Sequence, residues 1–201
     1  MNGYEFDYFQ GVGPEFQSRV VPFREKMFLE LYKDVKAEFD EDYLHDPYDA
    51  YSWHVITKDW QGEDVGAIRL TSPEAGLTEP ENVSEIWREE FAERRRNDCR
   101  PIYASRFFMN LSHRMMGGLW LYYKATELAA EIGGTEIVVL AKKGKLQNFY
   151  RGFGAVETSI PQDVIYHEED NWGPHHMLIL PLSHELPESM KAMFDQFPAS
   201  Q

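Results

Sequence analysis

The order of events between residues 102 and 141 constrains this chain most: IYASRFFMNLSHRMMGGLWLYYKATELAAEIGGTEIVVLA. Ile102 to Asn110 reads as a strand. Leu119, Tyr122, Tyr123, Thr126 and Ala130 then recur at helical spacing. Gly133 and Gly134 stop that helix, and Glu136 to Ala141 is a short apolar run suited to a buried strand. Strand, tight turn, helix, strand is a unit of an α/β sheet. The odd feature is the pair Gly117 and Gly118 at the start of the helix. Each glycine costs about 1 kcal/mol relative to alanine inside a helix, so the bare backbone there has a use.

The flanking sequence completes the pattern. Phe23, Met27, Leu31 and Val35 lie four apart, and Phe28 and Tyr32 widen the stripe, so residues 16–39 read as one or two helices. Residues 52–72 read as a hairpin turning at Asp59 to Glu63, with Gly62 in the turn. A polar excursion follows, with an amphipathic helix near Val83 to Arg94. GKLQNFYRGFGA is a short helix closed by Gly152 and Gly154, and HHMLILPL is a last strand. The resulting order, α, ββ, α, β, α, β, α, β, predicts an α/β (α+β) fold, a mixed sheet with helices on both faces. Residues 1–15 read as a loose leader, 16–182 as a single domain and 183–201 as a C-terminal surface helix or tail.

Charge and composition exclude several classes. The net charge of -14 argues against nucleic acid as a partner, which requires a cationic face. One cysteine, Cys99, forbids an intramolecular disulfide and suits a reducing compartment. The first residues lack the basic and apolar regions of a signal peptide, and no apolar run reaches the length of a membrane span. The expectation is a cytoplasmic protein. His113, His175 and His176 bring no cysteine or carboxylate that completes a ligand set, so no metal is expected. No Gly-x-Ser-x-Gly elbow is present for a serine hydrolase.

The order of elements, the glycine turn and the later NFYRGFGA resemble the GCN5-related N-acetyltransferase superfamily. Arg114-Met115-Met116-Gly117-Gly118-Leu119 stands where that superfamily has Arg/Gln-x-x-Gly-x-Gly/Ala, with Leu119 in place of the last small residue. Asn148, Tyr150, Gly152 and Phe153 stand in its Tyr-containing segment. The N-terminal half is similar, more narrowly, to the autoinducer (acyl-homoserine-lactone) synthases and N-acyl amino acid synthases. Arg24 and Phe28 match Arg-x-x-x-Phe, Asp46 and Asp49 match Asp-x-x-Asp, Gly66, Arg69 and Leu70 match Gly-x-x-Arg-Leu, and Ser105, Arg106 and Phe107 match Ser-Arg-Phe. Two positions depart: Asp34 where the synthases have a tryptophan, and Tyr103 where they have an acid tied to amine activation.

The resemblance implies a mostly antiparallel sheet with a splayed central strand pair and a thioester donor in the splay. The donor is acyl-CoA, acetyl-CoA or the phosphopantetheine of an acyl carrier protein. Arg114, Met116, Gly117, Gly118 and Leu119 then hold phosphate at a helix N-terminus, where unpaired N–H groups and the dipole favour anions. Backbone N–H groups of Phe108, Met109 and Asn110 polarise the carbonyl, Asn148 and Lys143 complete the donor site, and Tyr150 protonates the leaving thiolate. Ser105 and Arg106 belong to the reacting centre. Arg24, Phe28, Asp46, Asp49, Arg69 and Tyr103 form the acceptor side, for an amino acid or S-adenosylmethionine.

Each assignment has a plainer counterpart. The glycines also fit a close-packed turn, Tyr150 a core tyrosine, and the charged cluster a brace for the first helix. Arg69 and Arg106 lie in apolar strands, where a charge needs a partner. His54 fits a structural histidine better than a base. Lys142, Lys143, Lys145 and Arg151 suit coenzyme A phosphate, an acyl carrier protein or simply solvent. Arg94, Arg95, Arg96 and Arg100 form a second basic run. Three functions remain open: a long-chain N-acyltransferase with an apolar tunnel beside Phe107, Met109, Leu121 and Ile137; an acetyl-CoA-dependent acetyltransferase of a small amine or protein; and a non-catalytic ligand sensor.

Overall fold

The computed structural model describes residues 3–32, 46–72, 76–142, 144–158, 160 and 175–182. The expectations for Asp34, Val35, Lys143 and the tail 183–201 lie outside them. The strands are β1 (Glu5–Gln10), β2 (Ser52–Lys58), β3 (Asp64–Thr71), β4 (Pro101–Met109), β5 (Glu136–Lys142), β6 (Val156–Glu157) and β7 (His175–Pro181). The helices are α1 (Val21–Tyr32), α2 (Glu79–Val83), α3 (Glu85–Arg96), α4 (Met116–Glu131) and α5 (Lys145–Gly152). Strands hydrogen-bond in the order β1-β2-β3-β4-β5-β7-β6. The described residues divide into two compact units, one within residues 3–71 and 106–125 and the other within residues 72–105 and 126–182. The boundary cuts β4 between Ser105 and Arg106.

In the first unit β1, β2 and β3 run antiparallel, with Tyr8 opposite Val55 and Val55 opposite Ile68. The expected hairpin is present, and Asp59 Oδ1 holds its turn by accepting from the N–H groups of Gln61 and Glu63. The loose leader is corrected: Glu5–Gln10 is an edge strand. Its aromatic-rich sequence suits a half-buried pleat, and Asp7 ties it to Lys58 at 2.9 Å and Arg19 at 2.6 Å. A π-helical turn, Phe16–Val20, leads into α1. Together they bury Phe16, Val20, Phe23 and Met27 against Ile56, Ala67 and Phe108. Burying such side chains stabilises by roughly 1.5–3 kcal/mol each.

In the second unit α2 and α3 replace the single helix expected near residues 83–94. Ser84 breaks them, with φ -143° and ψ 126°. Trp87 and Phe91 of α3 pack with Tyr103, Val138, Met177 and Ile179. Gly134 lies so close to Ile102 that an added Cβ would stand 2.5 Å from its Cγ1, which explains the glycine after α4. β4 and β5 pair in parallel, whereas β5–β7 and β6–β7 are antiparallel. No helix among the described residues is long and apolar enough to cross a membrane.

Candidate active site

Charged residues of the four N-terminal motifs converge within the first unit. Arg24 of α1 donates to both carboxylate oxygens of Asp49, at 2.6 and 2.9 Å. Asp49 sits in a short 3-10 turn, Pro47–Tyr51, N-capped by Asp46, whose Oδ1 accepts from the N–H of Tyr48 at 2.8 Å. Arg69 of β3 reaches Asp49 at 3.2 Å and Asp46 at 2.8 Å. Arg106 of β4 donates to Asp46 at 2.8 Å. One proline turn thus presents two carboxylates to three guanidinium groups from three elements.

The network has a closed end and an open end. Arg24, Arg69 and Asp49 are fully buried, whereas the Arg106 side chain is 17% exposed. Burial works against ionisation of both aspartates. For Asp49 the Arg24 pair, and for Asp46 the charges of Arg69 and Arg106, outweigh it and hold the carboxyls below the usual range. His54 is buried beneath them, its Nε2 3.3 Å from the backbone oxygen of Asp49. Burial, with Arg24 and Arg69 nearby, pulls its pKa to about 4. It is neutral and structural at neutral pH. Phe28 is half-buried on α1.

β4 changes character along its length. Its parallel pairing with β5 ends at Ala104 opposite Val139, while β5 continues against β7 to Lys142. Ser105, Arg106 and Phe107 are only half-buried. Arg106 has φ +52°, a left-handed conformation that costs a side-chain-bearing residue about 1–2 kcal/mol. The Asn110 N–H donates to Val65 at 2.8 Å, so it is already taken by β3. Successive strand N–H groups point to opposite edges, so that of Met109 points away from β3. The side chains of Phe108 and Met109 are core. Among the residues expected to line a tunnel, Phe107, Met109, Leu121 and Ile137, the Met109 thioether packs over Gly66. A Cβ on that glycine would lie 2.3 Å from Met109 Cε and 3.0 Å from Leu121 Cδ2.

Asn110 caps a 3-10 turn, Leu111–His113, that leads through the exposed Arg114 into α4. Leu119 bonds its N–H back to Met115 at 3.1 Å. It is half-buried and its amide is satisfied. Helix geometry directs the N–H groups of Met116, Gly117 and Gly118 out of the N-terminus. The two glycines have different reasons. A Cβ on Gly117 would press to 3.2 Å from Met109 Sδ and the Tyr4 ring, whereas one on Gly118 would meet Phe107 at an ordinary 3.6 Å. Packing explains Gly117; Gly118 has room to spare. Tyr4 escaped the sequence reading, because nothing around it distinguishes it from a leader residue.

In the second unit Gly144, with φ +112°, starts α5. Asn148 is exposed and Tyr150 is buried, and burial raises the phenol's pKa well above its ordinary value. It stays protonated at neutral pH. Tyr103 is 4% exposed and packs with Trp87 and Phe91 in the core. Three members of the basic runs hold ion pairs, Arg94 with Glu90 and Glu136 at 2.8 Å, Arg95 with Glu81, and Arg151 with Glu157. Glu157 also receives Gln147 and lies 4.0 Å from His176, a polar group whose members are too scattered in sequence to stand out. Among the described residues, no group of three or more His, Cys, Asp or Glu is placed to hold a metal ion.

The strand order, the limited β4–β5 pairing and the glycine-started α4 define the GCN5-related N-acetyltransferase fold. Solved structures share it. FeeM, an N-acyl amino acid synthase from uncultured soil microbes, superposes with a TM-score of 0.65 at 14% identity, covering 90% of this chain and 92% of its own. TofI, solved in a ternary complex with an inhibitor and MTA, gives 0.66 at 14% identity over 94% and 96%. BjaI, a CoA-dependent acyl-homoserine lactone synthase solved with SAM and isopentyl-CoA, gives 0.61 at 13% identity over 99% and 92%. The sequence itself matches no family model and no curated protein.

Proposed function

We propose that this protein is an N-acyltransferase that moves an acyl group from a thioester to the amine of a small molecule. The carrying observation is the buried Arg24–Asp49–Arg69–Asp46–Arg106 network inside this fold. FeeM, an N-acyl amino acid synthase, and BjaI, a CoA-dependent acyl-homoserine lactone synthase, share the fold. The amine nitrogen attacks the thioester carbonyl, the carbon–sulfur bond breaks, the amine gives up a proton and the departing thiolate takes one. The Met109 N–H is directed to receive the developing oxyanion. Gly118 and Met116, with Arg114, offer N–H groups and charge to the donor's phosphates. Tyr150 is a protonated phenol and the candidate acid for the thiolate.

The network divides the acceptor side. Its buried end fixes α1, the proline turn and β3, and leaves no surface for a ligand. Arg106 is its exposed end and the one positioned to meet an acceptor carboxylate, which favours an amino acid or the aminoacyl end of S-adenosylmethionine. Mass spectrometry after incubation with acyl-CoA or acyl carrier protein thioesters of several lengths and a panel of amines tests this directly. An N-acylated amino acid or homoserine lactone is the expected product, and the donor panel separates coenzyme A from carrier protein. Acetylation alone supports the acetyltransferase reading. Absence of any acylated amine with every donor refutes the enzyme.

A further inference from the structure

The polar group of the second unit is built around one oxygen. Glu157 of β6 accepts at Oε1 from the side-chain amide of Gln147 and from the guanidinium of Arg151. These two residues stand in successive turns of α5, and Tyr150 lies between them on the chain. The same amide nitrogen is 3.5 Å from Nδ1 of His176, which β7 holds opposite Ala141 of β5. Gln147, Tyr150 and His176 are all buried. The backbone is tied at the same place. The Tyr150 carbonyl accepts from the N–H groups of Phe153 at 3.0 Å and Ala155 at 3.1 Å, in the link to β6.

A helix as short as α5 is not stable by itself in water, so its contacts set its rotation. Gln147 and Tyr150 are three residues apart and share a face. Around Tyr150 the contacts are apolar, with the Phe149 ring 5.3 Å from those of Tyr150 and Phe153. Apolar contact is non-directional and tolerates a small rotation, whereas a hydrogen bond between fixed atoms does not. An apolar side chain of similar size at position 147 would pack α5 about as firmly, so the amide adds direction more than stability. We propose that Gln147 and Glu157 are positioning residues for Tyr150, fixing the rotation of α5 that aims its phenol at the leaving sulfur. The inference rests on the acyltransferase reading above. There the phenol gives its proton to sulfur as the carbon–sulfur bond breaks, and the proton lost by the amine restores the phenol. An acid must stand within about 2.6–3.2 Å of the atom it protonates, and an error of about 1 Å costs about 100-fold.

Gln147→Leu keeps the bulk and loses the donors. The test compares octanoyl-coenzyme A with a nitrophenyl thioester of the same acyl group, whose thiolate leaves without a proton. The acceptors are the standard amino acids and S-adenosylmethionine, and thiol release is followed on the full chain. With octanoyl-coenzyme A, kcat for Gln147→Leu should fall about 10- to 100-fold while the donor KM stays within about 2-fold. With the nitrophenyl thioester both Gln147→Leu and Tyr150→Phe should lose less than about 3-fold, because no acid is needed. Glu157→Leu should repeat the pattern, and it keeps the comparison open where Gln147→Leu does not fold. Glu157→Gln retains a carbonyl oxygen to accept from Gln147 and should restore turnover to within about 3-fold of wild type. Equal losses with both thioesters overturn the positioning role, as does full turnover by Gln147→Leu where Tyr150→Phe is impaired; both leave the acyltransferase reading intact. Full turnover by Tyr150→Phe removes the acid and the positioning role with it. If the wild type consumes neither thioester, the acyltransferase reading itself falls.

Discussion

Two buried ion networks, one in each unit, look alike chemically and differ in what they join. In the second unit Glu81, fully buried, accepts from the N–H and hydroxyl of Thr78 at 2.8 Å and pairs with Arg95. That arrangement caps α2 and ties it to α3, and all its partners are local in sequence. In the first unit Arg24, Asp46, Asp49, Arg69 and Arg106 come from α1, a turn, β3 and β4, as far as 60 residues apart for Arg106 and Asp46. A local network can be replaced by any good cap. One that gathers four distant segments fixes a tertiary arrangement, and this one ends on a half-buried arginine in a left-handed conformation. Burial of charge alone does not set the two networks apart; reach, strain and an open end do.

Removing the hub of the long-range network should have the largest effect. Asp49→Ala leaves Arg24 and Arg69 buried without their shared carboxylate, which costs about 3–5 kcal/mol, read as a lowered urea midpoint. Next is a pH effect with a defined sign. His54 titrates near 4 in the folded chain against an ordinary 6.5. The unfolded chain binds the extra proton between those values, so stability rises with pH through that window and falls as pH drops from 6.5 to 4. The loss approaches about 3 kcal/mol. His54→Phe should flatten this slope. The depressed carboxyls of Asp46 and Asp49 act lower: their contribution is complete above about pH 4 and disappears as pH falls through their folded values, so the slope below pH 4 should survive the histidine change.

Much of this was legible in the sequence, for physical reasons. Period-2 and period-3.6 patterns located β2 to β5, α4 and α5, because burial of one face enforces them. The members of the charged cluster were picked out by the resemblance to the synthases, and arginines in apolar strands, which need partners, gave Arg69 and Arg106 a physical reason to belong to it. The edge strand β1 was not, since a strand with one neighbour and half-buried faces carries little pattern. The roles of Gly117 and Tyr103 depended on what lay against them, Tyr4 and Met109 in one case, Trp87 and Phe91 in the other. Those neighbours come from segments distant in sequence.

The local network should respond less than Asp49 does. Glu81→Ala removes the capping carboxylate from Thr78 and the partner of Arg95, whose side chain is 31% exposed and can turn to solvent. A loss of about 2 kcal/mol is expected, and acyl transfer should be unchanged once the protein is folded. A fall in turnover that outlasts restored stability would mean that the second network is also part of the working site.

Arg106 should show the smallest effect on stability and the clearest effect on function. Its ion pair with Asp46 is at the open end of the network, and removing it costs about 1 kcal/mol. Its backbone at φ +52° costs about as much while a side chain is present. Arg106→Gly loses the ion pair and relieves the strain, so it should be more stable than Arg106→Ala by about 1 kcal/mol in chemical denaturation. On the proposed function both should raise KM for the acceptor at least about 10-fold, because both lose the proposed charged contact to its carboxylate. The pair separates two explanations of the left-handed residue. If Gly and Ala are equally stable, the conformation carries no strain. If Gly restores turnover, the backbone shape of β4 is what matters there and the guanidinium does not contact the acceptor.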